Sequence, residues 1–242
     1  MTEAPTSGFS AFAIEPFPEV RTGDDLASTI TDALTHAGTA LHDGDIVVVA
    51  SKVVSIAEKR YVALADVTPG ADAVALSARI GKPAEIVQLI LDNSTEHFLA
   101  TERGPIIARH TLGHQLTSAG IDRAGREGAW LLPTDPDASA SALRDHLMAA
   151  TGVTIAVVIA DSDGRADRRG ATAISIGAAG IAALRVTQHD GKRQEETLTD
   201  LIAAAAGIIL GQRGRGAPVV ILRGVAYTGD GHGVAAMLHH RP

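Results

Sequence analysis

The sequence predicts an α/β protein of the mixed α+β kind, in which helices cover mixed sheets. Three short apolar runs, residues 46–50, 155–160 and 217–224, have the length and composition of buried strands. Segments with helical periodicity alternate with these runs, which is typical of α/β proteins. Because the spacing between the runs is irregular, we expect mixed sheets and not a regular parallel one.

The elements of the first half follow from apolar spacing and from punctuation by glycine and proline. Residues 22–38 carry leucine and isoleucine four positions apart, which predicts a helix capped by Thr22 or Asp24. The apolar run 46–50 comes next as a buried strand. Residues 76–94 read as helix, interrupted by a Gly-Lys-Pro sequence.

The second half continues the alternation of helices and strands. Residues 104–125 alternate between short strand-like pieces and turns. Residues 135–152 predict a helix whose start is marked by Asp137 and Ser139 and whose end is a glycine. Residues 197–212 predict a further helix, which is apolar over most of its surface and is therefore expected to be buried.

The chain is long enough for one large domain or two small ones, with a hydrophobic core. Residues 1–10 are predicted to be a flexible N-terminus and residues 11–242 one catalytic domain. Residues 133–137 are a candidate seam between two subdomains.

Composition excludes several classes of protein. The 242 residues are 45% hydrophobic and 20% charged, which is ordinary for a globular protein. The net charge of −7 argues against nonspecific nucleic-acid binding. The chain has no cysteine, so disulfides and thiolate metal sites are excluded. With no signal peptide and no long apolar run, we expect a cytoplasmic protein without a membrane partner.

Polar side chains stand where predicted strands and turns end. Ser51 and Lys52 follow the first strand, Asp161 and Ser162 follow the strand at 155–160, and Asp122 lies in a glycine-flanked turn. Ligands of α/β proteins commonly bind beyond the carboxyl ends of strands. Carboxylate and hydroxyl oxygens suit Mg²⁺ or Mn²⁺. The same residue types also form ordinary turns and helix caps, so the local pattern leaves both interpretations open.

Other polar motifs are weaker signals. Three arginines within residues 165–169 could form a local basic pocket despite the negative net charge. The Gly/Arg loop at 211–218 could hold a phosphate or be a simple turn. The glycine between His110 and His114 makes a metal-binding helix unfavourable, and we expect these histidines at the surface or in contact with substrate.

Taken together, the motifs resemble the coenzyme F420:L-glutamate ligases, also called F420-0:γ-glutamyl ligases, over nearly the whole chain. Their order and spacing carry the resemblance. The similar segments are PEVRTGDDLASTI (18–30), DGDIVVVASKVVSIAE (43–58), AGID (119–122), LLPTDPDASASALR (131–144) and IADSDGRADRRGATAISIGAAGIAALR (159–185).

The resemblance implies a cytoplasmic amide ligase that uses GTP to attach L-glutamate to a carboxylate of the deazaflavin precursor through an acyl phosphate. It also implies Mg²⁺ or Mn²⁺ as cofactor, with K⁺ as a further candidate, and an intertwined homodimer. The partners it implies are small molecules and a second copy of the chain, in keeping with the expectation from composition of no nucleic-acid or membrane partner.

The resemblance also assigns roles to particular residues. The implied metal ligands are Asp122, Asp161 and Ser162. The implied nucleotide-binding residues are Pro18, Glu19, Ser51, Lys52 and Gln212. The implied catalytic residues, which would contact phosphate or substrate carboxylates, are Arg165 and Arg168.

Several positions depart from the family pattern. Ile56 stands where the family has a nucleotide-binding lysine, Asp167 replaces a tryptophan, and the segment 185–198 is shorter. The Ser-Asn pair that follows the family's aspartate is missing after Asp122. Two alternatives therefore stay open: a divergent ligase that joins another amine to another carboxylate, and a noncatalytic relative that binds without turnover.

Overall fold

The computed structural model describes residues 7–211, 216–229 and 231–239. Six α-helices are described, and they are α1 (Leu26–His36), α2 (Ser51–Ala57), α3 (Ala71–Ile80), α4 (Ala84–Asp92), α5 (Pro136–Thr151) and α6 (Leu198–Leu210). The strands in this part of the chain are β1 (Ser10–Ala13), β2 (Ile46–Ala50), β3 (Tyr61–Ala63), β4 (Ser94–Leu99), β5 (Ile106–His110), β6 (Gln115–Thr117), β7 (Asp122–Ala124), β8 (Gly128–Trp130), β9 (Ala156–Gly164), β10 (Ala171–Ala179), β11 (Leu184–His189), β12 (Lys192–Thr197) and β13 (Val219–Arg223). The predicted α/β class with mixed sheets is confirmed.

A five-stranded mixed sheet is the centre of the fold, with the order β1-β13-β2-β9-β10. The central pair β2 and β9 is parallel, and the outer pairs are antiparallel. Successive side chains of a strand project to opposite faces. In β2, Val47 and Val49 belong to one hydrophobic core, whereas Ile46 and Val48 belong to another. The apolar runs are therefore continuous because the sheet is covered on both faces.

Helices supply the two outer layers. The core on one face takes in the apolar stripes of α1 and α5, and the core on the other face takes in that of α6. The first helix begins after Asp25, whose side chain accepts a hydrogen bond from the Ser28 N–H, so the predicted caps Thr22 and Asp24 are wrong. In the same way α5 begins after Asp135, ahead of the predicted start.

The predicted burial of α6 holds for one stripe of the helix and not for all of its apolar side chains. Its buried residues, including Leu198, Ile202 and Ala206, recur three and four positions apart and face the sheet. Leu201 is 50% exposed and Ile208 is 79% exposed. A helix that packs on one face of a sheet buries a single stripe, even when its other side is also apolar.

The strand predicted at 155–160 is longer than its apolar run. It continues through Asp161 to Gly164, because it forms an antiparallel hairpin with β10. Asp161 pairs with Ile174 and therefore lies inside a strand of the central sheet. The neighbouring strand β2 stops at Ala50, so the sheet has a step beside Asp161.

A second region lies between α2 and α5. Its two three-stranded sheets have the orders β3-β8-β7 and β4-β5-β6, and they share a separate hydrophobic core with α3 and α4. A division of the chain at 133–137 stays a prediction. In the part of the chain that is described, no helix combines the length and apolar character needed to cross a bilayer.

Candidate active site

The parallel register of the two central strands brings Ser51 to Asp161. Ala50 is paired with Ala160, so the residues that follow them lie side by side. Ser51 is the first residue of α2, and its hydroxyl donates a 2.7 Å hydrogen bond to Oδ1 of Asp161. Both side chains are buried. The contact joins residues 110 positions apart in the sequence and fixes the orientation of the carboxylate.

Asp122 reaches the same place from a different sheet. It opens β7, and its Oδ2 lies 3.9 Å from Nζ of Lys52, the second residue of α2. Both side chains of this ion pair are about one-third exposed. The negative charge of Asp122 acts on Asp161, so two carboxylates from distant parts of the chain converge.

A cavity of about 970 Å³ lies where these residues meet. Its wall is formed by α2, α6, the segment that follows β1, and residues of β7, β9 and β10. Its polar lining residues are Glu19, Ser51, Lys52, Asp122, Asp161, Ser162 and Thr172. Its larger apolar lining residues are Phe17, Pro18, Val20, Val53, Ile56, Ile208, Leu210 and Pro218. The volume is in the range of cavities that bind small molecules and cofactors.

Burial raises the pKa of Asp161 to about 7. The hydrogen bonds from Ser51 and from the Ser162 N–H lower this pKa, and the negative charges of Asp122 and Asp163 raise it. Desolvation and a like charge both disfavour an ionised carboxylate. A positive charge near Asp161 would offset both effects on its pKa, so the site favours a cation.

The donor set fits a hard divalent cation with an incomplete protein shell. Among the described residues, no group of three or more His, Cys, Asp or Glu side chains is arranged to hold a metal. Two carboxylates with a nearby hydroxyl nevertheless suit Mg²⁺, which commonly takes one or two carboxylates and completes its shell with water and substrate phosphates. Asp122, Asp161 and the exposed Ser162 are the residues that could hold such an ion.

Most of the residues singled out from the sequence line this one cavity. They are Pro18, Glu19, Ser51, Lys52, Asp122, Asp161 and Ser162. Their individual roles stay predictions. Gln212 lies outside the described residues.

Arg165 and Arg168 lie apart from the cavity wall, as far as the described residues define it. Both are exposed in the loop that joins β9 to β10, and both turn towards Asp167. Nε of Arg165 is 3.6 Å from one oxygen of Asp167, and Nε of Arg168 donates a 3.1 Å hydrogen bond to the other. Their contact with phosphate or substrate stays a prediction.

Some residues of the site were missed by sequence reasoning. Thr172 lines the cavity from β10, whose small side chains did not indicate a strand. A surface position of His110 and His114 is wrong, since each is 6% exposed, whereas their contact with substrate stays a prediction. Burial lowers the pKa of His110 to about 4, so its imidazole is neutral near pH 7.

Comparisons with known proteins show which family this chain is similar to. A protein-family model described as F420-0:Gamma-glutamyl ligase matches residues 16–224. The chain is 38% identical to the coenzyme F420:L-glutamate ligase of Archaeoglobus fulgidus over 229 residues, covering 91% of this chain and 89% of that one. It is 36% identical to the enzyme of the same name from Methanothermobacter thermautotrophicus, with 97% of both chains covered. A third enzyme of this name, from Halobacterium salinarum, is 36% identical over 228 residues, which are 88% of this chain and 86% of that enzyme.

Proposed function

Because this chain belongs to the F420-0:Gamma-glutamyl ligase family, we propose that it joins L-glutamate to a carboxylate of a coenzyme F420 precursor at the expense of GTP. The observation that carries the proposal is the convergence of Asp122 and Asp161 at one cavity of about 970 Å³. Such a cavity has room for a nucleotide phosphate chain beside an organic acid.

The proposed reaction has two steps. A carboxylate oxygen of the acceptor attacks the γ-phosphorus of GTP, and the bond from this phosphorus to the β-phosphate oxygen breaks. GDP departs, and the acceptor carries an acyl phosphate. The amine nitrogen of L-glutamate then attacks the acyl carbon, phosphate departs with its bonding electrons, and the nitrogen loses a proton. Activation is needed because a carboxylate is a poor acyl donor. Protein contributions to such chemistry are positioning and charge neutralisation.

Asp122, Asp161 and Ser162 would hold Mg²⁺ or Mn²⁺, and the bound metal would neutralise negative charge on phosphate oxygens. Ser51 supports this by directing its hydroxyl at Asp161, which keeps one carboxylate oxygen in place. Lys52 places a cation at the cavity, where an ammonium group serves as a point charge for phosphate.

The arginines of the β9–β10 loop would bind the acidic substrates. Arg165 and Arg168 both contact Asp167, and the loop is exposed. A substrate carboxylate or phosphate would therefore exchange with Asp167 as the anionic partner. Guanidinium groups suit this exchange because they bind planar carboxylates through two hydrogen bonds.

Mass spectrometry of the reaction products tests the proposal. The full chain is incubated with the F420 precursor, L-glutamate, GTP and Mn²⁺, and we expect a product heavier by one glutamyl residue together with GDP. Omitting GTP, or replacing it with ATP, tests the nucleotide. The variant Asp161→Asn is the matched protein control and should form no product. Absence of the glutamyl product with each nucleotide and each metal would contradict the proposal.

One observation favours a second candidate, a ligase of the same chemistry with other substrates. Ile56 lines the cavity and packs against the core, where the family pattern has a lysine. The same assay with other amines and organic acids distinguishes this candidate by the mass that is added. We also propose that the chain forms a homodimer, as the resemblance to the family implies. Light scattering at micromolar concentration should then give the molar mass of a dimer.

A further inference from the structure

Asp163 is a buried carboxylate beside the site that the proposed reaction does not use. It lies two residues beyond Asp161 in β9, so both side chains project to the same side of the strand. Among the described residues that line the cavity, Asp161 is present and Asp163 is not. Oδ1 of Asp163 instead accepts a 2.8 Å hydrogen bond from the backbone N–H of Thr117.

A second hydrogen bond makes this contact a clamp. The hydroxyl of Thr117 donates to the carbonyl oxygen of Gly164 at 2.9 Å. A Cβ atom at position 164 would lie 2.7 Å from that hydroxyl oxygen, so glycine leaves the room the clamp needs. Since β6 and β9 belong to different sheets, the two bonds tie the end of β6 to the outer half of β9.

The chain from Thr117 to Asp122 is a short turn with a constrained backbone. Ser118 and Ala119 have φ angles of 54° and 51°, which lie in the left-handed region that non-glycine residues seldom occupy. The turn is closed by a 3.0 Å hydrogen bond from the Ile121 N–H to the carbonyl oxygen of Ser118. Such conformations persist where the surrounding structure fixes them. The turn therefore couples the position of Thr117 to that of Asp122, which is also paired with Trp130 of β8.

We propose that Asp163 is a positioning residue that anchors Thr117 and thereby places Asp122 across the cavity from Asp161. The two carboxylates then converge well enough to share one divalent cation. The inference rests on the proposed function for its metal, but not for its nucleotide, acceptor or amine. Because the anchor is a hydrogen bond to an oxygen, the negative charge of Asp163 is not required.

Titration of the full chain with Mn²⁺, followed by electron paramagnetic resonance of the free ion, tests the anchor. Asp163→Ala removes the acceptor, and we expect the Kd for Mn²⁺ to rise by about 10–100-fold, as for other residues that support metal ligands. Asp163→Asn keeps an acceptor oxygen and should stay close to the wild type. An equal loss in both variants would assign the effect to charge and overturn the proposal, as would an unchanged Kd in Asp163→Ala.

Variants of Thr117 test the clamp from its other side. Thr117→Val keeps the N–H donor but removes the hydroxyl, and we expect a weaker affinity for Mn²⁺ with a smaller change than in Asp163→Ala. Thr117→Ser keeps both bonds and should restore the wild-type Kd. If Asp163→Ala does not fold, Asp163→Val decides, because it also lacks the acceptor for the Thr117 N–H but fills the space of the carboxylate. An unchanged Kd in Asp163→Val would overturn the proposal.

A control variant separates positioning from general loss of stability. Asp137 accepts backbone hydrogen bonds from Ala178, Val234 and Ala235, and it lies outside the cavity wall. Asp137→Ala should lower the melting temperature without changing the Kd for Mn²⁺ below that temperature. A comparable loss of Mn²⁺ affinity in this variant would overturn the positioning role of Asp163.

The positioning role of Asp163 and the proposed metal site can be refuted separately. A wild-type chain that binds no Mn²⁺ would contradict the proposed metal site. Crystal structures of the wild type and of Asp163→Ala would still decide the positioning role. Displacement of Asp122 relative to Asp161 in the variant supports it, and an unchanged separation of the two carboxylates overturns it.

Discussion

Replacing Asp161 with asparagine removes one negative charge from the cavity and leaves nearly the same shape. The amide oxygen can still accept the hydrogen bond from Ser51. The variant therefore isolates the ionisation of Asp161 from its packing. Wild type and variant are compared by urea denaturation at pH 5 and at pH 8, without metal and followed by circular dichroism.

The sign of the expected effect follows from the pKa of Asp161, which burial raises from 3.8 to about 7. The folded protein holds this proton more tightly than the unfolded chain. The resulting stability is fully present below pH 3.8 and is lost as the pH rises through about 7. Ionisation of Asp161 at pH 8 therefore lowers the free energy of unfolding by about 4 kcal/mol. About 2–3 kcal/mol of this loss develops between pH 5 and pH 8.

Asp161→Asn has no proton to lose, so its stability relative to the wild type should increase by about 2–3 kcal/mol from pH 5 to pH 8. The matched control is Asp66→Asn at an exposed position, which should change stability by less than about 0.5 kcal/mol at either pH. A difference between Asp161→Asn and the wild type that does not vary with pH would refute the reasoning about burial.

Added Mn²⁺ tests the same side chain under conditions in which its negative charge should stabilise the folded protein. At 100 times its Kd a ligand stabilises the folded protein by about 2.7 kcal/mol. We expect the wild type to gain stability with Mn²⁺ and GTP at pH 8, and Asp161→Asn to gain almost none, because a hard metal needs the anionic oxygen. Retained stabilisation of the variant by Mn²⁺ would show that Asp161 is not a metal ligand.

Three further changes have defined outcomes. Ser51→Ala removes a hydrogen bond that lowers the pKa of Asp161, so calorimetry should show weaker Mn²⁺ binding at pH 7. The loss of Mn²⁺ affinity should be smaller at pH 9, and an equal loss of affinity at both pH values would contradict this. Ile56→Lys should tighten GTP binding by roughly 1.5–3 kcal/mol through a charge-assisted hydrogen bond, and unchanged calorimetric affinity would mean that the pocket serves another ligand. Arg223→Ala leaves Asp45, which is 1% exposed, without its bidentate partner. The free energy of unfolding in urea should therefore fall by about 3 kcal/mol, and a loss below about 1 kcal/mol would contradict a structural role.

The central strands could be predicted from the sequence because their signal is local. Residues 46–50, 155–160 and 219–222 are apolar at every position, since both faces of the sheet are covered. The stop of α5 at Gly152 was also predictable, because this residue has a φ of 74° that glycine adopts without strain.

Other elements carry no such local signal. The strand β10 consists largely of small residues, and the hairpin of β11 and β12 is polar and mostly exposed. These segments are strands because a partner strand satisfies their backbone hydrogen bonds, and pairing is not visible in one segment alone. For the same reason the length of β9 beyond its apolar run could not be predicted.

The sequence by itself determined the apolar runs, the approximate positions of α1, α4, α5 and α6, and the ordered motifs by which the family was recognised. Only the tertiary structure decided how Ser51 meets Asp161, how Thr117 is anchored by Asp163, and which side of α6 is exposed. The physical reason is distance along the chain: the two hydrogen bonds join residues 110 and 46 positions apart. The pKa of Asp161 likewise depends on burial by neighbours from several elements, and no spacing within one motif encodes that burial.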